Sequence, residues 1–275
     1  DASIIHKNFN WNKVAEIGRD TVNNFIENYK GIKDNNEIIV TYNEGPKVEI
    51  LGDSNLTYDV KFIDGDTNNV IHFDKISNNM WTKCSRTWFT NWVIEVNGEI
   101  VDKFDLRGKV VHIEHHSKSM GDCIAWAPYA VEFMKKHKCK VILATFHNHW
   151  FKNLPEYKNI EFQDIAWRGK SYVYYKIGWF RSDDQNWDNT HDHPRQVNLI
   201  RLQQTATDIL GLKFKELNYG VDLGNGSKPI KGKYIVFAPQ ATSGCKEWEY
   251  DKWAELADRF IKMKYKVVVC SLRPW

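Results

Sequence analysis

Residues 110–129 read VVHIEHHSKSMGDCIAWAPY, and this stretch decides how the rest of the chain is interpreted. Its first four residues, VVHI, form the kind of apolar run that is typical of a buried parallel strand. Residues 117–122 then make a polar turn, and apolar residues at helical spacing follow, with Pro128 tolerated near the helix start. A strand, a glycine turn and a helix form the first unit of a doubly wound domain, in which ligands bind at the carboxyl ends of the strands. Asp122 therefore lies where a catalytic group is expected.

The α/β pattern continues to about residue 220. A polar loop precedes residues 193–195, which are expected to open a helix that Gly211 closes. The aromatic residues at 172–180 fit two roles, stacking on a sugar and packing in a core, and core packing is favoured. Apolar runs predict three further strands, at residues 140–145, 160–162 and 172–180.

The last part of the chain predicts one more β-loop-α-β unit. Residues 234–239 and 265–270 are strand-like and flank a loop and an amphipathic helix at residues 248–264. Two strands are too few for a complete parallel sheet, so we expect this second α/β domain to be truncated. The helix is expected to turn five apolar residues inward, namely Trp253, Leu256, Ala257, Phe260 and Ile261.

A different pattern precedes residue 108. Residues 11–29 carry apolar groups at helical spacing, and Gly31 ends this predicted amphipathic helix. From residue 37 to about residue 107 the period is two, with turn signals at residues 64–66 (DGD) and 97–98 (NG). These alternating runs predict a small antiparallel sheet or barrel. We therefore expect three domains, over residues 1–107, 108–220 and 221–275.

Composition limits the class of protein. The chain has 275 residues, enough for two or three domains, and its hydrophobic content of 42% supports real cores. The formal net charge of +3 is too balanced to indicate nucleic-acid binding. No apolar run approaches the ~18 residues of a membrane span. No signal peptide is visible, and because the first residue is not Met, we expect that the true start is missing. The five cysteines are scattered and include no Cys-x-x-Cys pair, as expected for reduced cytosolic thiols.

The loop at residues 238–248, APQATSGCKEW, is the second stretch with a chemical interpretation. It follows a predicted strand and leads into a predicted helix, so Lys246 and exposed N–H groups are expected at a helix N-terminus. Such a site stabilises a diphosphate whose negative charge grows as a bond to it breaks. Taken alone, Lys246 is better explained as a solvated surface lysine.

Together, the two stretches resemble the ADP-heptose glycosyltransferases of glycosyltransferase family 9. Those enzymes open their first Rossmann-like domain with a strand, Ser-Ser/Met-Gly-Asp and a helix, which residues 119–122 match. They also have a small-residue loop before Lys-x-Trp and a helix, which residues 246–248 match. The resemblance runs from about residue 110 to the end. It is strongest to the autotransporter heptosyltransferases, through residues 121–129, residues 193–195 leading to 206–212, and the β-rich segment before residue 108.

The resemblance implies a GT-B-like α/β fold. A helix and a small antiparallel β-domain would precede two Rossmann-like domains, of which the second is truncated. It further implies that a heptose moves from ADP-heptose to an acceptor hydroxyl by an inverting mechanism that needs no divalent metal. The implied acceptor is a protein resembling an autotransporter adhesin, or the lipopolysaccharide core. The implied setting is the bacterial cytoplasm, with no nucleic-acid or membrane partner and with a homo-oligomer as one expectation. Some members bind iron through cysteines in their C-terminal part, and no such cluster is visible in this chain.

The resemblance also assigns roles to single residues. Asp122 is the expected base that removes a proton from the acceptor hydroxyl, and Lys246 is expected to hold the departing ADP. No metal ligands are expected. The other donor-side residues are Thr242, Ser243, Gly244 and Trp248, and the acceptor-side or cleft residues are Ser119, Met120, Gly121, His116, His193 and Arg195.

Structural alternatives stand beside these roles. Asp122 is also a favoured helix cap, and a helix start explains His193 and Pro194 equally well. A Zn or Fe site built on the histidines near residue 115 is disfavoured, because His115 and His116 are neighbours that point apart. The DGD sequence at residues 64–66 has the D-x-D form of a metal-nucleotide motif from another glycosyltransferase architecture, and its place between two alternating runs favours a turn.

Two other functions stay open on the sequence. The first is an enzyme of the same fold that uses a different nucleotide sugar. The second, of a different class, is a binding or assembly module without catalysis, which the truncated donor domain allows. Release of ADP from ADP-heptose separates an enzyme from a module.

Overall fold

The computed structural model of the chain describes residues 36–53, 55–167, 169–180, 191–224, 226, 230–241 and 243–271. The amphipathic helix predicted over residues 11–29 lies outside these ranges. The chain divides into two units, Asp1–Asp222 and Leu223–Trp275. No helix within the described ranges is both long enough and apolar enough to cross a membrane.

Seven antiparallel strands make up the first part of the larger unit. They are β1 (Glu37–Thr41), β2 (Lys47–Leu51), β3 (Thr57–Asp64), β4 (Asn69–Ser77), β5 (Met80–Lys83), β6 (Trp92–Val96) and β7 (Glu99–Lys103). One sheet has the order β1-β2-β5 and the other the order β4-β3-β6-β7. Along β3, Tyr58, Val60 and Phe62 are buried and the residues between them are partly exposed. The antiparallel segment predicted from its period of two is confirmed.

The predicted hairpin turn at residues 64–66 joins β3 to β4. The backbone N–H of Gly65 donates to the carbonyl oxygen of Asn91 at 2.7 Å, and that of Asn68 donates to the carbonyl oxygen of Asp64 at 2.7 Å. The carboxylate of Asp66 accepts two bonds from the side-chain amide of Asn91, at 2.7 and 2.8 Å. Because these contacts tie both acidic residues into the hairpin, the turn explains the D-x-D sequence.

Four parallel strands form the sheet that positions the candidate site. In chain order the elements are β8 (Val110–His115), α1 (Met120–His137), β9 (Lys140–Ala144), β10 (Ile160–Gln163), β11 (Val173–Ile177) and α2 (Leu202–Ile209). The strand order is β10-β9-β8-β11, so the chain first moves outward from β8 and then crosses to its other side. Ligands of doubly wound sheets bind where this order reverses, which here is between β8 and β11.

Helix α1 covers one face of this sheet. Phe133 packs against Tyr175 with ring centroids 5.7 Å apart, and Trp126 packs against His115 at the same distance. Trp126 is fully buried, and its Nε1 donates a hydrogen bond of 2.9 Å to the carbonyl oxygen of Leu202. One side chain therefore joins α1 both to the end of β8 and to the start of α2.

The antiparallel strands share this core. Phe89, in the link between β5 and β6, contacts the rings of Phe133 and Tyr175 with centroids 6.1 and 6.5 Å apart. Tyr42 forms a parallel bridge with Val173 at the start of β11. Because such contacts cross from the antiparallel to the parallel part, the division of the chain into three domains stays a prediction.

The helix predicted to open at residues 193–195 starts later, so this prediction is wrong. Helix α2 begins at Leu202, because Ile200 and Arg201 have extended backbone conformations with ψ of 164° and 146°. An extended backbone interrupts the hydrogen bonds between residues four apart that a helix needs. The predicted end is confirmed, since Gly211 follows the helix with φ of 60°, a left-handed conformation that favours glycine.

The smaller unit contains one parallel strand pair and one helix among its described residues. These are β12 (Tyr234–Phe237), α3 (Tyr250–Lys262) and β13 (Lys266–Val269). Trp253 and Phe260 of α3 pack against Phe237 with ring centroids 4.9 and 6.2 Å apart. Ile261 was predicted to face inward and is instead 55% exposed. It lies about 100° around the helix from Phe260 and therefore falls outside the packed stripe.

Candidate active site at the end of strand β8

The turn between β8 and α1 brings several predicted residues together. Asp122 is the third residue of α1, and its Oδ2 accepts a hydrogen bond of 2.6 Å from the Ser117 hydroxyl. The same hydroxyl oxygen accepts a bond of 3.1 Å from the backbone N–H of Ser119. The carbonyl oxygen of Ser119 in turn accepts a bond of 3.2 Å from the backbone N–H of Cys123. Ser117 therefore holds the turn, a role that the motif at residues 119–122 does not reveal.

The Asp122 carboxylate has the features of a proton acceptor. It lies in the first turn of α1, at the positive end of the helix dipole. Its side chain is half-buried, and Oδ1 has no hydrogen bond to any residue that the structure describes. Ser119 occupies the N-cap position. A simple capping role therefore does not describe the position of Asp122.

A cavity of about 620 Å³ opens beside this turn. Gly121 forms part of its wall, and a Cβ at this position would meet nothing closer than the Ser119 hydroxyl at 3.9 Å. The neighbouring Met120 is 61% exposed. Arg201 and Glu216, which form an ion pair of 2.8 Å, also line the cavity. The cavity is large enough for a small ligand next to Gly121, and Asp122 itself is not among its lining residues.

A second polar site lies on the sheet face that α1 does not cover. Successive side chains of a strand point to opposite faces, so Glu114 and His112 lie opposite to His115, which faces α1. Glu114 is only 2% exposed, and its Oε1 lies 2.6 Å from Nε2 of His116. Its Oε2 lies 3.8 Å from Nε2 of His112 and accepts a bond of 3.3 Å from the backbone N–H of Ala166. A buried carboxylate thus stands between two imidazoles at the end of β8.

A cavity of about 300 Å³ borders this second site. The hydroxyl of Tyr174 on β11 lies 3.2 Å from Nε2 of His116, and the Tyr174 ring stacks on His112 with centroids 4.8 Å apart. Lys176, the next residue of β11 on this face, forms an ion pair of 3.4 Å with Glu44. The cavity therefore lies at the point between β8 and β11 where the strand order reverses.

His193 and Arg195 have structural partners. His193 is 2% exposed, and its Nε2 lies 3.2 Å from the carbonyl oxygen of Phe180. Arg195 donates from Nε to the carboxylate of Asp208 in α2 at 2.7 Å. Within the described ranges, neither side chain is hydrogen-bonded or ion-paired to the turn that carries Asp122. Their acceptor-side role stays a prediction.

Lys246, the predicted donor-side lysine, ends a 3-10 turn at Gly244–Lys246 and is exposed. No carboxylate among the described residues lies within ion-pair distance of its amino group. The backbone N–H groups of Lys246 and Glu247 donate to the carbonyl oxygens of Ser243 and Gly244, both at 3.0 Å. The Lys246 charge is therefore available to a ligand, whereas these two N–H groups are used within the turn.

The remaining donor-side residues flank this turn. Trp248 is 48% exposed and meets the ring of Trp253 edge-on, with centroids 5.4 Å apart. The Ser243 hydroxyl lies 3.2 Å from the thiol of Cys245. Thr242 lies outside the described residues. The donor-binding roles of these residues stay predictions.

The described part of the chain does not fit a metal centre. Within it, no group of three or more His, Cys, Asp or Glu side chains is arranged to hold a metal ion. Cys84, Cys123 and Cys139 are buried, and Cys245 and Cys270 are exposed. Among the described residues, these cysteines belong to no group arranged to hold iron.

Glu114 is the functional candidate that sequence reasoning missed. The apolar run at residues 110–113 predicts a buried strand, and the resemblance places His116 on the acceptor side, but neither assigns a role to Glu114. The signal was the alternation of polar residues at positions 112, 114 and 116, which places His112 and Glu114 on one face of the central strand and His116 directly after it. A parallel sheet normally presents apolar side chains on both faces, so this row is unusual.

Comparison with known proteins identifies relatives of this chain. Residues 190–274 match the family model for glycosyltransferase family 9 (heptosyltransferase). The inactive autotransporter heptosyltransferase BimC of Burkholderia thailandensis is 29% identical over 69% of this chain and 45% of its own length. The autotransporter heptosyltransferase Aah of Escherichia coli is 27% identical over 76% of this chain and 54% of its own length. The chain thus spans about half the length of these curated relatives.

A solved structure shows the same fold. It is that of the dodecameric iron-containing heptosyltransferase TibC from enterotoxigenic E. coli, in complex with ADP-D-β-D-heptose. The TM-score is 0.72 at 22% sequence identity, and the match covers 85% of this chain and 61% of TibC. The predicted GT-B-like α/β fold is confirmed. The resemblance predicted from the two motifs is confirmed as well: the chain is similar to the heptosyltransferases of glycosyltransferase family 9.

Proposed function

We propose that this chain is part of a glycosyltransferase that moves a heptose from ADP-heptose to an acceptor hydroxyl with inversion. The observation that carries the proposal is the Asp122 carboxylate at the end of the central strand β8, fixed by Ser117 and open at Oδ1. The similarity to the autotransporter heptosyltransferases supports the reaction class. The complex of TibC with ADP-D-β-D-heptose supports the donor.

The proposed chemistry needs one base and one anion-stabilising group. The acceptor oxygen forms a bond to the anomeric carbon of the heptose while the bond from that carbon to the diphosphate oxygen breaks. The hydroxyl proton passes to the Asp122 carboxylate. Lys246 stabilises the charge that develops on the departing ADP. The hydrogen bond from Ser117 to Oδ2 orients the carboxylate so that Oδ1 faces the acceptor.

The setting of the reaction is proposed from the relatives. An acceptor hydroxyl on a protein resembling an autotransporter adhesin is favoured, with a glycolipid core as the alternative, because the curated relatives are autotransporter heptosyltransferases. A cytoplasmic location and a homo-oligomer are part of the same proposal, and TibC is described as dodecameric. Iron is described for TibC, and the described residues of this chain supply no ligand set for it.

A non-catalytic binding module is the second candidate function, because BimC is described as inactive. The two functions differ in a direct assay. The full-length protein is incubated with ADP-heptose and a peptide bearing serine and threonine hydroxyls, and ADP release and peptide mass are measured, with GDP-mannose as the matched control donor. An enzyme of the proposed kind releases ADP and adds one heptose mass, whereas a module binds the donor without turnover. Turnover of GDP-mannose alone would transfer the proposal to another nucleotide sugar.

A further inference from the structure

The reversal point between β8 and β11 carries a charged pair that the Asp122 turn does not use. Glu114 and His116 lie on the sheet face opposite to α1, next to the cavity of about 300 Å³. We propose that buried Glu114 fixes the His116 ring through its Nε2–H group, so that Nδ1 accepts a hydrogen bond from a hydroxyl of a monosaccharide-sized ligand in this cavity. Glu114 is thus a positioning residue, and the ligand contact belongs to His116.

The burial of Glu114 explains why its carboxylate is hydrogen-bonded to His116. A carboxylate with 2% exposure is costly unless a hydrogen bond or an opposite charge compensates it. His116 Nε2 lies 2.6 Å from Oε1, whereas His112 Nε2 lies 3.8 Å from Oε2, beyond hydrogen-bond distance. The Tyr174 hydroxyl is 3.2 Å from the same Nε2 and is the weaker neighbour. The proton on Nε2 of His116 therefore points to Glu114.

This arrangement leaves one nitrogen of His116 for a ligand. With its proton on Nε2, a neutral imidazole offers Nδ1 as an acceptor. The His116 side chain is 38% exposed and lines the cavity. Among the residues that the structure describes, none makes a hydrogen bond to His116 Nδ1. The backbone on either side is fixed, since the N–H of His116 donates to the carbonyl oxygen of Ile177 at 2.8 Å.

The lining of the cavity indicates the class of ligand. Trp167 and Tyr174 supply aromatic rings to the lining, and Asn43 and Ser171 supply polar groups that serve hydroxyls as donors or acceptors. Among the described lining residues, the two that carry opposite charges, Lys176 and Glu44, pair with each other at 3.4 Å and leave no excess of positive charge for an anion. A volume of about 300 Å³ is at the lower end of small-molecule sites. These features favour a neutral sugar ring over a nucleotide or a phosphate.

This inference rests on the proposed function in one respect, because it takes the ligand to be an acceptor-side sugar or a sugar-like hydroxyl group. The hydrogen bond to one ring nitrogen of His116 and the binding of a sugar in one cavity can both be measured without heptose transfer. The test therefore does not measure turnover. The titratable and charged groups around the ring are His112 and Glu114 on β8, Tyr174 and Lys176 on β11, and Glu44 before β2.

The test is a nitrogen-15 NMR experiment on the histidine side chains of the full chain. We expect the His116 proton on Nε2, with a resonance protected from solvent exchange in the wild type. Glu114→Gln keeps a side-chain oxygen that accepts this bond and is expected to preserve the protection, whereas Glu114→Leu is expected to abolish it. Addition of methyl α-D-mannopyranoside should then shift the His116 Nδ1 resonance, and in Glu114→Leu the sugar should bind about three- to tenfold more weakly. Exposed His149 is the internal control and should not respond.

Three results would overturn the inference. The first is a proton on Nδ1 of His116, the second is equal exchange in the wild type and Glu114→Leu, and the third is an Nδ1 resonance that ignores the sugar. If a variant does not fold, the wild-type spectrum and the wild-type sugar titration still decide. A protein that transfers no heptose but shows the protected proton and the sugar response would contradict the proposed function and support this inference. A protein that transfers heptose but shows neither the protected proton nor the sugar response would support the proposed function and contradict this inference.

Discussion

His115 provides a quantitative test of how the sheet and α1 are packed. It ends β8, is fully buried against Trp126, and neither ring nitrogen has a hydrogen-bond partner among the described residues. Burial lowers the pKa of His115 from 6.5 to about 3, because the charged imidazolium loses its hydration. The packing of Trp126 therefore requires a neutral ring at this position.

The sign and the size of the pH effect follow from this pKa. Between pH 6.5 and pH 3 the unfolded chain binds one proton at His115 that the folded chain does not. The contribution of neutral His115 to the free energy of unfolding is therefore fully present above pH 6.5. Below pH 6.5 the free energy of unfolding falls by about 1.4 kcal/mol for each pH unit. Between pH 7 and pH 4.5 the loss due to His115 alone is about 2.7 kcal/mol.

His115→Phe tests this value, because it removes the titrating group and keeps an aromatic ring. The free energy of unfolding is measured by urea denaturation at pH 7 and pH 4.5. The wild type should lose about 2–3 kcal/mol more than the variant between the two pH values. Burial also lowers the pKa of His137, to about 4, and this contribution is common to both proteins and cancels. Exposed His149 is the matched control, and His149→Phe should keep the wild-type pH dependence. Equal losses in the wild type and in His115→Phe would refute the reasoning.

Two further predictions address the donor loop and the core. Lys246→Ala in the full-length protein should weaken ADP-heptose binding, measured by calorimetry, by about 1.5–3 kcal/mol, the value of a hydrogen bond to a charged group. Lys252→Ala removes a lysine of α3 that is paired with Glu249, and it should leave ADP-heptose binding unchanged. Equal affinity in both variants would mean that Lys246 is an ordinary surface lysine. Gly211→Ala should lower the free energy of unfolding by about 1–3 kcal/mol or more, because Gly211 has φ of 60° and a Cβ there would lie 2.2 Å from the Phe89 ring. A urea denaturation midpoint equal to that of the wild type would contradict that reasoning.

Local patterns predicted much of the fold. The period of two before residue 108 gave the antiparallel strands, because one face of each strand must be buried and the other solvated. At residues 110–129, an apolar run followed by a turn and by apolar residues at helical spacing predicted β8 and α1. The start of α2 was missed because the spacing of apolar residues does not show that the backbone is extended at Ile200 and Arg201.

The candidate site was predicted less completely. Asp122 was placed from its motif, and its position in the first turn of α1 follows from that motif. Ser117 and Glu114 were not singled out, because their importance depends on a hydrogen bond to Asp122 and on burial beside His116. The sequence contained the alternation at residues 112–116, but only the strand order shows that this row lies where ligands bind.

The central claim is that Asp122 is the base for transfer, and one comparison tests it most directly. Heptose transfer from ADP-heptose is measured for the full-length wild type and Asp122→Asn, with donor binding measured in parallel. Asn has nearly the same size and can still accept the Ser117 hydrogen bond, so the variant should fold and bind donor. Its transfer rate should fall by about two to four orders of magnitude, the usual contribution of a general base. Asp105→Asn, which alters an exposed carboxylate paired with Arg107, should transfer at the wild-type rate. Transfer by Asp122→Asn within a few-fold of the wild type would contradict the claim.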